Sequence, residues 1–450
     1  MKKLLPLFLA LSSSLGAAGF KAGVARTIIT PPLPFWQTGY ASRTNPAASV
    51  KSDLWAKALA LEDEEGGRAV IVTTDLIGLP REITDAVAER LRQRDGLQRS
   101  QLLLNSSHTH AGPVVLPTLS IMFNGGPKER EQAVQYGGKL TDDLVAVVQA
   151  ALSNLAPARL SFARGYADFA TNRREPTTNG VRLGVNLTGP VAHEVPVLRV
   201  LAPDGALRAV LFAYACHNTT LGGDFYQVDG DYAGYAQREV EKAHPGATAL
   251  FMQLCGGDQN PRPRGTYAHV EQHGKTLAEA VNLVLAGAFK ELRPPIRTAW
   301  QRAELEFAPH TRETFEQEAK SANIFKQRRA KLMLETYAQD KPIRRLSYPV
   351  QALRFNTDLT LVAMGGEVVV DYFHRARREF WRENLVVAGY CNEVSCYIPS
   401  RRVLREGGYE PVDSMIYYGQ PGPFADNVEE TVFAALREVL AGAGANVSAP

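Results

Sequence analysis

Short apolar runs recur along this 450-residue chain, and several of them stop abruptly at glycines followed by a polar side chain. Runs of roughly four to eight apolar residues between turn residues are typical of buried strands. Segments with helical spacing lie between them. The alternation predicts an α/β protein with a mixed β-sheet core flanked by helices. The predicted strands are 69–73, 102–104, 158–163, 197–201, 209–215, 247–254, 297–307, 349–355, 359–363 and 385–389; the predicted helices are 83–97, 141–155, 232–243, 269–292, 312–339, 367–381 and 427–440.

The segment Pro294-Pro295 marks a joint that could divide two lobes. Candidate site residues, however, lie on both sides of it. We therefore expect a single large catalytic domain over residues 19–450.

The first residues are typical of an export signal. Lys2 and Lys3 precede an apolar run over residues 4–15, and small residues follow at 16–19. This predicts a signal peptide over residues 1–18. The run is too short to span a bilayer, and no later stretch predicts a transmembrane helix. The expected location of the mature protein is secreted or periplasmic.

Charge and cysteine content restrict the function further. The formal net charge is only +3. The sequence has no basic stripe of the kind that binds nucleic acid, so no nucleic-acid partner is expected. The four cysteines, Cys216, Cys255, Cys391 and Cys396, form no C-x-x-C pair, which disfavours a cysteine-based zinc site. We expect structural cysteines, either buried or joined in two disulfides, with all three pairings open.

Histidines follow two of the predicted strands. His108 and His110 form a His-x-His pair just beyond a strand end, and Gly112-Pro113 turns the chain away after them. His217 ends another apolar strand. Imidazole is a preferred zinc ligand, so this pattern indicates a metal site. The alternative is a set of polar or structural histidines.

Other predicted strands end in a similar way. The segment 253–261 runs from a strand into glycines and Asp258, and Glu367 follows Gly365-Gly366. Glu367 could instead lie in the first turn of a helix, and Tyr397 could be an ordinary core aromatic. The recurrence favours a site, because sites of α/β sheets assemble from loops at strand ends.

Taken in order, these motifs form one pattern over nearly all of the chain beyond the leader. Its members are residues 23–31, 39–40, 73–76, 108–113, 172–173, 217, 257–258, 367, 392 and 397–398. The pattern resembles the catalytic domain of the neutral (alkaline, non-lysosomal) ceramidase family.

The resemblance implies a set of roles. It implies one catalytic Zn²⁺ ion held by His108, His217, Glu367 and Tyr397. It implies that His110 carries a proton beside the reacting centre, that Arg173 lies near the polar head of the substrate, and that Tyr409 donates to the carbonyl oxygen. The residues alone leave three alternatives open. Arg173 could form a surface ion pair with Glu175, and Arg174 could be the arginine near the polar head of the substrate. Tyr409 could be an ordinary loop aromatic.

The resemblance also implies a function: a secreted zinc-dependent hydrolase of lipid and sphingolipid metabolism. It would cleave a linear N-acyl amide, a ceramide-like lipid, with zinc-activated water. The expected substrate is a small-molecule or lipid amide. Transient contact with a membrane surface is compatible with such a substrate. The oligomeric state stays open. The alternatives are a zinc hydrolase of another amide or an ester, and a catalytically inactive lipid-binding relative.

Three departures from the family pattern concern the nucleophile, the substrate and the domain content. Asn260 stands where the family has a serine, so an amide replaces a candidate nucleophile. The apolar segment 114–122 replaces a glycine-rich loop and could line an acyl-chain pocket or belong to the core. The expectation is that no β-sandwich domain follows the catalytic domain.

Overall fold

The computed structural model describes residues 19–447, so the predicted leader lies outside the described residues. The strands in chain order are β1 Phe20–Ile28, β2 Ser49–Val50, β3 Trp55–Asp63, β4 Arg68–Thr74, β5 Leu102–Ser106, β6 Ala156–Tyr166, β7 Ala170–Thr177, β8 Gly180–Asn186, β9 Glu194–Leu201, β10 Leu207–Tyr214, β11 Gln227–Val228, β12 Thr248–Gln253, β13 Gln259–Pro261, β14 Lys290–Glu291, β15 Ile296–Glu306, β16 Arg345–Phe355, β17 Leu359–Met364, β18 Glu367–Val368, β19 Leu385–Ala388 and β20 Tyr397–Ile398.

Helices lie between these strands. They are α1 Arg81–Asp95, α2 Pro127–Ser153, α3 Asp231–Ala243, α4 Tyr267–Leu285, α5 Arg312–Glu318, α6 Ile324–Ala338, α7 Asp371–Glu379, α8 Arg401–Glu406, α9 Ser414–Tyr417 and α10 Val428–Gly442. No helix within residues 19–447 has the length and apolar character needed to cross a membrane.

Two mixed sheets form the centre of the molecule. The larger has nine strands in the order β12-β10-β9-β6-β1-β3-β4-β5, with β14 beside β6. The smaller has the order β15-β16-β17-β19. Alternate residues of the strands face the two sides of each sheet. In β10, Leu211 faces the core between the sheets, whereas Phe212 faces the core beneath α3 and α4. The result is one domain of two stacked sheets covered by helices, which confirms the predicted α/β class.

The joint at Pro294-Pro295 connects β14 of the large sheet to β15 of the small one. Apolar residues of both sheets then share one core, in which Ile71 and Leu103 lie with Phe355 and Leu361. The two sides of the joint are therefore layers of the same domain.

Several predicted boundaries were wrong. The helix predicted over 367–381 begins at Asp371, and Glu367 lies in the short strand β18. The stretch 312–339 is two helices, because Asn323 caps a new helix with its side-chain oxygen. The helix predicted over 269–292 ends at Leu285. The helix predicted over 141–155 is the second half of α2.

The strands β1 and β3 were missed altogether. β3 is rich in alanine, which has low intrinsic strand propensity. Its strand conformation is set by its neighbours, because β1 and β4 pair along its two edges.

Three parallel strand pairs place their carboxyl ends together. These are β4 with β5, β10 with β12, and β17 with β19. The side chain of Asn105 joins three of the ends. Its Oδ1 accepts from the Gln253 amide at 2.8 Å, and its Nδ2 donates to the carbonyls of Gln253 at 3.1 Å and Gly389 at 2.9 Å. The loops that follow these strands therefore converge on one region.

We predict that Asn105→Ala lowers the free energy of unfolding by about 3 kcal/mol, because it leaves a buried amide and two carbonyls without their partner. Urea denaturation monitored by circular dichroism measures the change. Asn179→Ala, at an exposed hairpin turn, is the matched control and should change stability by less than about 0.5 kcal/mol. Equal effects of the two substitutions would contradict the proposed role of Asn105.

Candidate metal centre and cleft

His108 follows β5 by two residues and adopts a left-handed backbone conformation with φ of 66°. Such a conformation is uncommon for a residue with a side chain and is maintained by surrounding contacts. The His108 amide donates to the Leu76 carbonyl at 2.8 Å. Nδ1 of its ring lies 2.5 Å from the Ile77 carbonyl oxygen. The imidazole is thus fixed with Nε2 directed away from the backbone.

His217 is held in the same way beyond β10. Its Nδ1 lies 2.7 Å from the Gly256 carbonyl oxygen, and its amide donates to the Gln259 carbonyl. The ring centroids of His217 and His108 lie 4.8 Å apart. Both side chains are fully buried.

Glu367 lies between the two imidazoles. Its Oε2 is 3.0 Å from His108 Nε2 and 2.9 Å from His217 Nε2. Gly366, with φ of 70°, turns the chain just before it, and the Glu367 amide then donates to the Cys396 carbonyl. Gly257 permits this close approach, because a Cβ there would lie 2.7 Å from the Glu367 carbonyl oxygen. The alternative position of Glu367 in the first turn of a helix is wrong.

Tyr397 completes the cluster. It lies opposite Glu367 in the β18–β20 pair, and its hydroxyl is 3.1 Å from His217 Nε2. Tyr397 is buried, as a core aromatic would be, but its hydroxyl contacts the imidazole. The structure therefore brings together the four side chains that the resemblance implied as metal ligands.

The hydrogen bonds of the rings show that a cation fits this cluster. A carbonyl oxygen can only accept, so Nδ1 of each ring carries a proton, and the neutral ring in that tautomer presents a lone pair at Nε2. Burial, followed by the charge of Arg173, lowers the pKa of His217 to about 4, which keeps that ring neutral. Two lone pairs and a carboxylate oxygen then face each other in a buried space. A metal ion would satisfy all three, and imidazole, carboxylate and phenol oxygen are suitable zinc ligands.

His110 lies at the edge of the cluster. Its Nε2 is 3.1 Å from His108 Nε2, and its ring contacts that of Tyr40. Its Nδ1 is buried without a hydrogen-bond partner among the residues described. Burial lowers the pKa of His110 well below its usual value. The three histidines offer ring nitrogens that all lie within 4.8 Å of one another.

Arg173 approaches the cluster from β7. Its Nη2 donates to the Tyr397 hydroxyl at 2.9 Å, and its Nε donates to Glu410 at 2.9 Å. The surface ion pair of Arg173 with Glu175 is wrong, since Arg173 is buried and Glu175 pairs with Arg182. Arg174 points instead to Glu406 and Glu410 and has no contact with Tyr397. The structure thus favours Arg173 over Arg174 as the arginine of the site.

Tyr409 lies in a π-helical turn over Tyr409–Asp413. Its ring is 5.7 Å from that of Tyr397, and the Arg173 guanidinium lies 5.6 Å from its centroid. It therefore faces the predicted site. Its half-buried position also resembles that of a loop aromatic, so its role as a donor remains a prediction.

A cleft of about 320 Å³ opens beside the cluster, a size within the range of small-molecule sites. The site residues that line it are His110, Arg173, Asn260, Tyr397 and Tyr409. Met122 also lines the cleft, whereas Val114 and Val115 lie in the core beneath α1 and α2. The apolar segment 114–122 therefore belongs in part to the core and contributes Met122 to the cleft wall.

The other residues of the strand-end motifs have structural positions. Asp258 accepts from the Val370 amide and from Asn172, and burial raises its pKa to about 7. All four cysteines are buried and free, which selects the unbridged form of the structural prediction. None of the four cysteines belongs to the group of potential ligand atoms that His108, His110 and His217 form.

Three contributors were missed from the sequence. The Tyr418 hydroxyl donates to Glu367 Oε1. The Tyr390 ring lies 4.6 Å from that of His108. Glu410 holds Arg173 in place. Tyr418 lies in a turn-rich segment with no nearby motif, whereas Tyr390 precedes the pattern residue Asn392 by two positions and Glu410 directly follows Tyr409.

Comparison with known proteins gives three kinds of match. A family model described as neutral/alkaline non-lysosomal ceramidase, N-terminal, matches residues 20–280. Neutral ceramidase of Drosophila melanogaster is 26% identical over 283 residues, which cover 57% of this chain and 38% of that protein. Neutral ceramidase of Pseudomonas aeruginosa is 24% identical over 241 residues, which cover 50% and 34%.

The fold is similar over a longer stretch than the sequence. The crystal structure of neutral ceramidase from Pseudomonas aeruginosa superposes with a TM-score of 0.74 at 18% identity, covering 96% of this chain and 76% of that one. A ceramidase complexed with C2 gives a TM-score of 0.73 at 16% identity. The sequence matches span little more than a third of the length of the curated relatives. The family model nevertheless covers more than half of the chain, which therefore belongs to the neutral/alkaline non-lysosomal ceramidase family.

Proposed function

We propose that this protein is a zinc-dependent hydrolase that cleaves N-acyl amides of the ceramide type. The observation that carries the proposal is the contact of Glu367 Oε2 with the Nε2 atoms of His108 and His217 at 3.0 and 2.9 Å. Tyr397 is the fourth proposed ligand. A bound zinc ion would supply Lewis acidity and lower the pKa of a water molecule towards neutrality. The relatives named neutral ceramidases support an amide substrate.

The residues beside the cluster have complementary proposed roles. His110 contacts His108 and also lines the cleft, so its ring can pass a proton between the buried cluster and a bound substrate. Tyr409 lines the same cleft and presents a hydroxyl that can donate to a substrate carbonyl oxygen. Arg173 orients the Tyr397 hydroxyl and is itself held by Glu410.

Asn260 restricts the mechanism. It lies on the cleft wall, with its Oδ1 3.3 Å from the Thr219 hydroxyl and 3.4 Å from Arg173. An amide side chain has no nucleophilic oxygen that could form an acyl intermediate. We propose that water attacks the carbonyl carbon, and that Asn260 contributes polar contacts. Retention of the buried ligand cluster is the reason to favour an enzyme over an inactive lipid-binding protein.

We also propose that the protein is exported by the leader at residues 1–18, which would place the reaction outside the cytoplasm.

We predict that the purified protein binds about one zinc ion per chain and that His217→Ala and Glu367→Ala remove most of it. Each substitution deletes a proposed ligand, so affinity should fall by more than the roughly 10- to 100-fold that loss of a ligand's hydrogen-bond partner costs. Metal analysis after dialysis measures the content. His244→Ala, at the end of α3, is the control and should retain zinc. A wild-type protein that takes up no supplied zinc would contradict the proposal.

We predict that Tyr418→Phe weakens zinc binding by roughly 10- to 100-fold, because Tyr418 donates to the Glu367 oxygen that faces away from the imidazoles. Competition with a chelator of known affinity measures the change. Tyr417→Phe removes the neighbouring hydroxyl, which has no contact with Glu367, and should leave the zinc affinity unchanged. Equal affinities of wild type and Tyr418→Phe would show that this hydrogen bond does not hold the carboxylate.

We predict that Tyr409→Phe lowers kcat on an N-acyl amide by about 10²- to 10³-fold while zinc content stays the same, because the variant loses a donor to the carbonyl oxygen and no ligand. Initial rates and metal analysis on the same preparation test this. An unchanged kcat would assign Tyr409 to packing of the cleft wall instead.

A further inference from the structure

The charged side chains that line the cleft are all positive among the residues described. Two of its lining residues are arginines, Arg173 and Arg264, and no aspartate or glutamate lines it among the residues described. Arg173 is neutralised by Glu410 at 2.9 Å. Arg264 forms no ion pair within the described part of the chain; its Nη2 donates to the Tyr40 hydroxyl at 3.0 Å. A cation without a direct ion-pair partner therefore lines the cleft where substrate would bind.

The backbone on both sides of Arg264 is fixed. The Pro263 carbonyl accepts from His273 at 2.6 Å, and the Gly265 amide donates to the Thr220 carbonyl at 2.7 Å. Gly265 has φ of 104°, a conformation that favours glycine. The exposed side chain thus projects from an anchored turn that follows Asn260 of the cleft wall closely in the chain.

A second guanidinium lies near the same wall. Arg43 is buried and donates to the carbonyls of Thr38, His110 and Phe225. Among residues 19–447 no carboxylate forms an ion pair with it. Asp231 lies near Arg264, but its oxygens accept from the amides of Leu221 and Tyr232 and it does not line the cleft. Asp224 lies near Arg43 as Asp231 lies near Arg264, but neither carboxylate lines the cleft or forms an ion pair with its arginine, so the positive charge on the cleft wall itself is that of Arg264 beside the paired Arg173.

Polar and apolar lining residues come from different elements. Arg264, Asn260 and Thr219 belong to the segments after β10 and β12, whereas Leu183 lies on β8 and Met122 ends the turn Ser120–Met122. Leu183 is half exposed. An acyl chain suits the apolar elements, and the amine-derived part of the substrate suits the polar ones.

We infer that the preferred substrate is an N-acyl amide with an anionic group, a carboxylate or a phosphate, on its amine side, and that Arg264 is the residue that selects it. This inference rests on the proposed amide hydrolysis and narrows its substrate class: the acyl amide of a ceramide is kept, and the uncharged head group is replaced by an anionic one. In the reaction the amide C–N bond breaks, the oxygen of water joins the acyl carbon, and the protons of water are divided between the amine and the medium. The anionic group remains on the released amine.

Three substrates with one acyl chain test the preference: N-lauroylglycine, N-lauroylethanolamine and the phosphate ester of N-lauroylethanolamine. At the amine side, the first carries a carboxylate, the second a neutral alcohol and the third a phosphate. We expect kcat/KM to be about tenfold higher for at least one anionic substrate than for the neutral one, mainly through a lower KM. The gap should narrow at high salt, because Arg264 is exposed.

Arg264→Gln should remove the preference, mainly by raising KM for the anionic substrates, and Arg264→Lys should restore part of it. Arg262→Gln is the matched control, since Arg262 is an exposed arginine of the same turn that does not line the cleft. It should keep the wild-type preference. Equal or better use of the neutral substrate by the wild type would overturn the inference. So would an Arg264→Gln variant that loses activity equally on all three.

Binding separates this inference from the proposed function. Calorimetry with N-dodecylsulfonylglycine and N-dodecylsulfonylethanolamine, sulfonamides that resist hydrolysis, measures affinity without turnover. The inference is supported if the wild type binds the anionic compound more tightly and Arg264→Gln abolishes this difference. That support holds even if none of the amides is hydrolysed, because absent hydrolysis contradicts only the proposed function. Equal binding of the two sulfonamides overturns the inference even if the amides are hydrolysed.

Discussion

The contact of one carboxylate oxygen with two imidazoles organises this molecule. Glu367 Oε2 meets the Nε2 atoms of His108 and His217, whose opposite nitrogens donate to the carbonyls of Ile77 and Gly256. Those carbonyls fix both ring orientations and the proton on each Nδ1, so in the form with both rings neutral three electron-pair donors face one another inside the protein. Such an arrangement is costly without a cation, because burial removes the water that would otherwise solvate each group. The metal proposal follows from this cost, and the family membership is consistent with it.

The arrangement of the strand ends makes this contact possible. His108, His217 and Glu367 follow strands of three different parallel pairs, and parallel strands end at the same edge of a sheet. Stacking the small sheet on the large one then brings Glu367 to the histidines. Asn105 joins the strand ends by three buried hydrogen bonds. The stability of the scaffold and the geometry of the site thus depend on neighbouring residues.

The sequence could predict the elements with strong apolar runs and the ligands that directly follow them. It could not place Glu367 correctly, because the choice between a strand and a helix start depends on pairing with Tyr397, thirty residues later. β3 was missed because its pairing partners, more than its own alanines, determine its conformation. Tyr418 and Glu410 act through partners that are distant in sequence, so no local pattern indicated them. The free state of the cysteines also depends on spatial position, which spacing alone does not give.

X-ray absorption at the zinc edge of the metal-loaded protein tests the central claim most directly, because it counts imidazoles and identifies the other ligand atoms. The account predicts two imidazoles and at least two oxygens, at roughly 2.0–2.2 Å, with no sulfur at about 2.3 Å. In Tyr397→Phe the phenol oxygen should be lost from the zinc ligands or replaced by the oxygen of a water molecule. Three imidazoles would instead place His110 among the ligands and contradict the proton-carrying role proposed for it. A sulfur shell would place the metal elsewhere in the protein.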